Sequence, residues 1–183
     1  DGYLLQYYHQ QGIPVLGIDP AANIAEVAEQ KGIPTLVEFF GSEIAKALHK
    51  EGRRASVIHA HNVLAHVANL NDVVAGMQIL LDEDGVIVVE APYVKDLIDK
   101  LEFDTIYHEH LCYFSLSALD KLFARHKLTI THVERIAIHG GSLRIFATHT
   151  TSAVRQASVT ELLDEESQWG VHTLGFYSDF HAN

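Results

Sequence analysis

A doubly wound α/β fold with a mostly parallel sheet is the architecture this 183-residue sequence calls for. Three features point to it. Short apolar runs, too brief for helices, alternate with amphipathic stretches of about ten residues. The runs are closed by Asp-Pro, Gly or polar clusters, as strands covered on both faces usually are. The alternation repeats through the first half, giving successive βαβ units. In chain order, residues 2–11 read as a helix burying Leu4, Leu5, Tyr7 and Tyr8, and residues 15–18 as a buried strand ended by Asp19-Pro20. A helix over residues 23–31 stops at Gly32 and Pro34, and residues 35–37 form a short strand. Ser42 suits the cap of a helix to Lys50, with Glu43 in its first turn. Residues 56–58 are a further buried strand, residues 71–81 a helix capped by Asn71, and Asp82-Glu83-Asp84-Gly85 an acidic turn. Residues 86–89 are the clearest parallel-sheet strand.

The pattern changes after Pro92. Residues 93–100 are helical, whereas residues 104–114 are rich in aromatics and histidine without helical spacing, and so form a loop or short strand. Ser117 caps a helix through His126. Residues 128–138 and 143–149 then form an antiparallel hairpin at the sheet edge, joined by His139-Gly140-Gly141-Ser142. From Val159 onward a helix of mixed polarity is interrupted by Gly170 and Gly175.

Composition narrows the function. Hydrophobic residues are 48% and charged residues 20%, a globular balance with enough apolar mass for a core. Thirteen Lys and Arg against 24 Asp and Glu leave a formal charge of −11, which disfavours binding to a phosphate backbone. The apolar runs are far shorter than a membrane-spanning helix. The single cysteine, Cys112, excludes a disulfide framework, disfavours a cysteine-based zinc site and fits a reducing cytoplasm. The first residues are Asp1-Gly2 rather than Met, so the sequence is expected to be part of a longer protein.

In open α/β sheets ligands gather beyond the carboxyl ends of the strands. Asp19 ends one such strand, where an acid can accept from both hydroxyls of a ribose; otherwise it is an ordinary strand-ending Asp. His59, His61, Asn62 and His66 follow another strand, with His59 and His66 read as packing or surface residues rather than metal ligands. Glu90 either faces the cleft or closes its strand. Phe39-Phe40-Gly41 either flanks an adenine or packs in the core. Gly140-Gly141-Ser142 with Arg144 is an anion nest or a tight turn. The densest constellation is Tyr107-His108-Glu109-His110, in which an imidazole that titrates near neutrality sits beside a carboxylate and a phenol. No metal site is expected there, because His108 and His110 have no third ligand in sequence.

Five segments in order resemble a known family: Asp1-Gly2-Tyr3-Leu4-Leu5, Gly17-Ile18-Asp19-Pro20, Asn62-Val63-Leu64-Ala65-His66, residues 104–111 with Tyr107-His108-Glu109-His110-Leu111, and residues 139–144. Together the chain resembles the S-adenosylmethionine-dependent C-methyltransferases that act on nucleotide-linked 4-keto-deoxysugars, over nearly its whole length. The resemblance implies a Rossmann-like class I methyltransferase sheet, S-adenosylmethionine as cofactor and a nucleotide-sugar as substrate. It implies that a base removes the C3 hydrogen acidified by the 4-ketone and that the resulting enolate takes the sulfonium methyl in line. His110 matches the base, and Tyr107 and Glu109 match neighbours that orient it or bind the sugar. Asp19 matches the ribose acid, Asn62 and His61 line the cleft, Phe39 stands by the adenine, and Asp1 and Gly2 match the last two residues of a glycine-rich loop.

Departures from the family are also visible. A zinc-binding domain with its cysteines, the first strand and most of the glycine-rich loop precede the matching region in relatives, and a second α/β domain follows it. Residues 1–152 are therefore expected to be an N-terminally truncated methyltransferase domain, and residues 153–183 a C-terminal helix leading toward that second domain. These 183 residues alone are expected to have little activity. An O- or N-methyltransferase of the same fold, a nicotinamide-dependent oxidoreductase and a non-catalytic scaffold are the alternatives.

Overall fold

The computed structural model describes residues 1–178. Its elements run α1 (Leu5–Gln10), β1 (Gly17–Ile18), α2 (Ala22–Gln30), β2 (Thr35–Leu36), α3 (Ser42–Lys50), β3 (Ala55–His61), α4 (Leu70–Leu80), β4 (Leu81–Pro92), α5 (Val94–Lys100), α6 (Leu116–Arg125), β5 (Leu128–Ile136), β6 (Ser142–His149), α7 (Ala157–Trp169) and α8 (Leu174–Ser178). The expected alternation of strand and helix holds through α4. The strands form two sheets: β1 beside β2, and the order β3–β4–β6–β5. The pairs β1–β2 and β3–β4 are parallel, and β4–β6 and β5–β6 are antiparallel. The hairpin is thus present, but only β5 is an edge; β6 lies inside, against β4. Among the described residues β1 and β3 do not pair.

Two apolar clusters hold this arrangement. The larger joins Ile87 and Val89 of β4, Ile130 and Ile145 of the hairpin, Met77 of α4, Phe123 of α6 and Val159 of α7. The smaller centres on Ala45, Leu48 and Leu80, with Leu16, Ile18 and Leu36 from the β1–β2 side and Ala55 and Ile58 from β3 packed against it. That second cluster bridges the two sheets without strand pairing between them.

Several local expectations change. Helix α1 is shorter than residues 2–11 and has no buried residue; Tyr3 and Tyr7 are 66% and 53% exposed and meet edge to face. Strand β1 keeps only Gly17 and Ile18, half-buried, and Ser56 and Val57 of β3 are exposed because that edge of β3 is unpaired. The acidic segment 82–85 does turn outward, as a bulge inside β4: Ala55 pairs with Leu81 but Val57 with Val86. Two caps lie two residues earlier than read, at Asn69, which accepts from Asp72 N, and at Ser115, which accepts from Ala118 N. Ser42 does not cap its own helix. Asp72 on α4 does so across space, accepting from Ser42 N at 3.3 Å and Ser42 Oγ at 2.5 Å.

This trans cap needs two helices in close contact. A Cβ on Gly76 would lie 2.7 Å from the carbonyl carbon and oxygen of Gly41, and one on Gly41 would strike the Asp72 carboxylate. Gly76→Ala is expected to lower stability by about 1–3 kcal/mol through this overlap, against the roughly 1 kcal/mol that Ala gains over Gly in an open helix interior. Urea denaturation reads the sign: a stabilised variant would mean that α3 and α4 are not held this close.

Candidate active site

The carboxyl ends of the parallel strands β3 and β4 carry His61 and Glu90, paired directly in register. Glu90 is also in register with Arg144 on β6, and Arg144 with Glu134 on β5. A polar row therefore crosses the whole four-stranded sheet. Arg144 donates from Nε to Glu90 at 2.6 Å and from Nη1 to Glu134 at 3.1 Å, and His61 Nδ1 lies 3.1 Å from Glu90. Glu90 is buried, so these donors compensate a carboxylate removed from water.

The row extends toward α1. His59 Nδ1 is 3.1 Å from His61 Nε2, and Tyr8 Oη is 2.8 Å from His59 Nε2. With His61 Nδ1 donating to the Glu90 carboxylate, a consistent order of donors runs Tyr8 to His59, His59 to His61, His61 to Glu90. Both nitrogens of His61 are engaged. His61 can meet a ligand here through its ring face, not through a polar atom. His59, read from sequence as packing or surface, is the link between α1 and the sheet.

Asn62 follows at φ 53°, a left-handed conformation that Asn tolerates better than most residues, with its N–H donating to Glu90 O at 2.9 Å. This turn sends the chain into the 3-10 turn Leu64–His66, which docks the segment after α5: Leu111 N donates to Ala65 O at 2.8 Å, and His66 Nδ1 donates to Glu109 O at 3.0 Å.

On that docked segment His110 is held from both sides. Its Nδ1 donates to Thr105 O at 2.8 Å, which leaves Nε2 as the basic atom, 3.1 Å from Tyr107 Oη. The Tyr107 and His66 rings lie 4.2 and 4.9 Å from that of His110. Tyr113 Oη also donates to Thr105 O, at 3.1 Å. The result is a half-buried imidazole of one tautomer with a phenol at its free nitrogen, an arrangement suited to moving a proton. The Glu109 side chain points outward, beside the exposed His108; it is the Glu109 carbonyl that joins the site. His66 and Thr105 are the participants missed in the sequence, and the spacing of Asn62 to His66 was the available signal for the first.

The remaining predicted residues are more dispersed. Asp19 follows β1 and accepts from Ala21 N at 2.9 Å. Phe39 is 82% exposed beyond β2, while Phe40 packs on both apolar clusters. Asp1 accepts from Tyr3 N, and Gly2 sits at φ +67°, where a Cβ would lie 3.0 Å from Ile33 Cγ1. No described contact joins these residues to His110. Gly140 and Gly141 face the Glu102 and Asp96 carboxylates, so this turn is not an anion nest, and Arg144 is engaged by Glu90 and Glu134. Among the described residues no three His, Cys, Asp or Glu side chains converge as a metal set, and no helix is long and apolar enough to cross a membrane.

Residues 1–133 match the family model described as a methyltransferase domain. The chain belongs to the methyltransferase-domain family. Residues 137–183 match a second model, a C-methyltransferase C-terminal domain. The two matches meet at the end of β5, so β6 belongs by sequence to the C-terminal model and by hydrogen bonding to the sheet of the first. The chain is 36% identical over 181 residues to the C-methyltransferase NovU of Streptomyces niveus, covering 98% of this chain and 43% of that protein. It thus spans less than half the length of this curated relative. Among solved structures it is similar to the PH0226 protein of Pyrococcus horikoshii (TM-score 0.64, 13% identity, 81% of this chain and 77% of that one). It is also similar to the Burkholderia thailandensis 1,6-didemethyltoxoflavin-N1-methyltransferase (TM-score 0.57, 17% identity, 81% and 67%). These likenesses establish the Rossmann-like class I methyltransferase fold. The family membership decides against the nicotinamide-dependent alternative.

The histidine row has a pH signature. Burial, with a smaller effect of His61 and an opposing one of Glu90, holds the His59 pKa below its ordinary 6.5. The unfolded chain therefore binds this proton at a higher pH than the folded one, and stability falls as the pH drops through about 6.5. His59→Gln is expected to flatten the dependence of unfolding free energy on pH between about 7 and 5.5, read from denaturant midpoints across that range; an unchanged slope would show that His59 does not carry it.

Proposed function

We propose that this chain is the methyl-transfer core of an S-adenosylmethionine-dependent C-methyltransferase acting at C3 of a nucleotide-linked 4-keto-deoxysugar. The observation that carries the reading is His110: an imidazole anchored through Nδ1 to Thr105 O, with Nε2 beside the Tyr107 hydroxyl. The similarity to a C-methyltransferase over nearly the whole chain supports it.

The residues toward the cofactor fit an adenosine-bearing ligand in kind. Asp19 offers a carboxylate beyond β1, Phe39 an exposed ring beyond β2, and Gly2 a backbone close enough to Ile33 that a side chain would be crowded. Asp19 would hold the ribose, Phe39 the adenine and Asp1 and Gly2 the amino-acid part, with Asn62 and the ring face of His61 closing the cleft. S-adenosylmethionine, when bound, supplies a sulfonium methyl to a carbon nucleophile.

His110 makes that nucleophile. A C–H next to a ketone is acidic enough for a neutral imidazole to remove its proton once the two are held together. Nε2 takes the proton, and the Thr105 carbonyl, already accepting from Nδ1, stabilises the imidazolium formed. Tyr107, beside Nε2, orients the ring or meets the sugar. His66 adds a second imidazole to the same cleft, its Nδ1 fixed by Glu109 O. In this reading residues 1–152 form the methyl-transfer domain, and the substrate is a small molecule.

His110→Ala is expected to lower methyl transfer by about 10²–10⁴-fold while leaving S-adenosylmethionine affinity unchanged. The assay is run on the chain and on the full coding product that contains it, with a nucleoside-diphosphate 4-keto-deoxyhexose as acceptor. Solvent deuterium should enter C3 in the presence of the protein with His110 intact; methyl transfer without such exchange, and to oxygen or nitrogen, would favour the O- or N-methyltransferase reading. Asp19→Ala is expected to weaken S-adenosylmethionine binding by about 10- to 100-fold, the loss of charge-assisted hydrogen bonds of roughly 1.5–3 kcal/mol. Calorimetric titration checks this, and an unaltered Kd would remove Asp19 from the cofactor site.

A further inference from the structure

Glu166 lies on α7, outside the sheet and outside the segment that carries His110, yet it is 1% exposed. Its carboxylate accepts three hydrogen bonds. Leu116 N and Ser117 N donate at 2.6 and 2.8 Å, and Tyr93 Oη donates at 3.0 Å. Burial and the adjacent Glu166 push the Tyr93 phenol well above its ordinary range, so it remains a donor.

These three donors have a common meaning in the chain. Tyr93 is the residue where β4 passes into α5, and Leu116 and Ser117 begin α6. Everything between α5 and α6 is the irregular segment that holds Thr105, Tyr107 and His110. Its far end is joined to the start of α5 a second time, because Tyr93 bridges Phe114 and Val94 N donates to Phe114 O at 2.9 Å. One buried carboxylate thus gathers at a single point the start of α5 and the start of α6, which bracket the loop. A loop of this length has many conformations when only its ends are loosely held; tying them narrows the set in which Nδ1 of His110 reaches Thr105 O. The second end of α7 is held as well, with Lys95 of α5 over the Trp169 ring at 4.5 Å.

We propose that Glu166 is a positioning residue for His110, through which the C-terminal region sets the geometry of the base. The inference rests on the reading of His110 as the base. Glu166→Gln keeps the volume, but its amide turns a donor toward the backbone N–H groups or toward Tyr93. It is expected to lower kcat by up to about 100-fold with little change in acceptor KM or S-adenosylmethionine Kd. In a His110→Ala background the same substitution should cost nothing further, because it acts through that ring. Nitrogen-detected NMR of the histidine rings supplies a readout that needs no acceptor: His110 should be a single Nδ1–H tautomer in the parent chain and a mixture in E166Q. Tyr93→Phe leaves both backbone bonds to Glu166 in place and serves if E166Q does not fold; a smaller loss in kcat, again without a change in KM, is expected. Unchanged kcat in a folded E166Q or Y93F, or an additive loss in the His110→Ala background, would overturn the proposal. Full activity of His110→Ala alone would instead remove the base reading on which it rests.

Discussion

A carboxylate withdrawn from water must be matched by donors, and in this protein the matching of Glu90 organises the sheet. Glu90 sits on the central strand β4, opposite His61 on one side and Arg144 on the other. A slip of one residue in either pairing would turn these partners to the opposite face and leave a buried charge alone. The pairing therefore specifies register as well as charge balance. It also places the Asn62 turn, whose N–H donates to the Glu90 carbonyl, and hence the 3-10 turn on which the His110 segment docks.

From that anchored turn outward, the site is built mainly by backbone carbonyls. Thr105 O and Glu109 O each take a histidine Nδ1–H, so the Nε2 atoms of His110 and His66 are left to other partners, the Tyr107 hydroxyl in the case of His110. Carbonyls suit this task better than carboxylates would. They fix the tautomer without adding a charge that would pull the imidazoles toward protonation. The outward position of the Glu109 side chain keeps a further charge away from the His110 ring.

The two-part sheet gives the remaining polar contacts their weight. With no pairing between β1 and β3 among the described residues, the β1–β2 side is joined to the four-stranded sheet by the apolar cluster around Leu48 and by the contact of Tyr8 with His59. The first is indifferent to pH, whereas the second depends on a partly buried imidazole staying neutral. At the other end, α7 is part of the core through Val159 and Leu162 and part of the catalytic frame through Glu166. A helix matched to a C-terminal family model is in this way packed into the core of the four-stranded sheet.

The alternation of apolar runs and amphipathic stretches was sufficient to give the strand–helix order, the parallel character of the first half and the hairpin after α6, because hydrophobic period is a local property. The histidine-rich segment was legible for the same kind of reason: its residue types lie close together along the chain. Four matters were settled only by the folded structure. Asp72 capping α3, Tyr8 reaching His59 and Glu166 meeting Tyr93 join residues 30, 51 and 73 positions apart, and the row from His61 to Glu134 crosses four strands. The outward turn of Glu109, the burial of Glu90 and the exposure of α1 belong with them. Burial and hydrogen-bond partnership depend on which distant surface arrives at a residue, and that is decided by packing rather than by the neighbours it has in sequence.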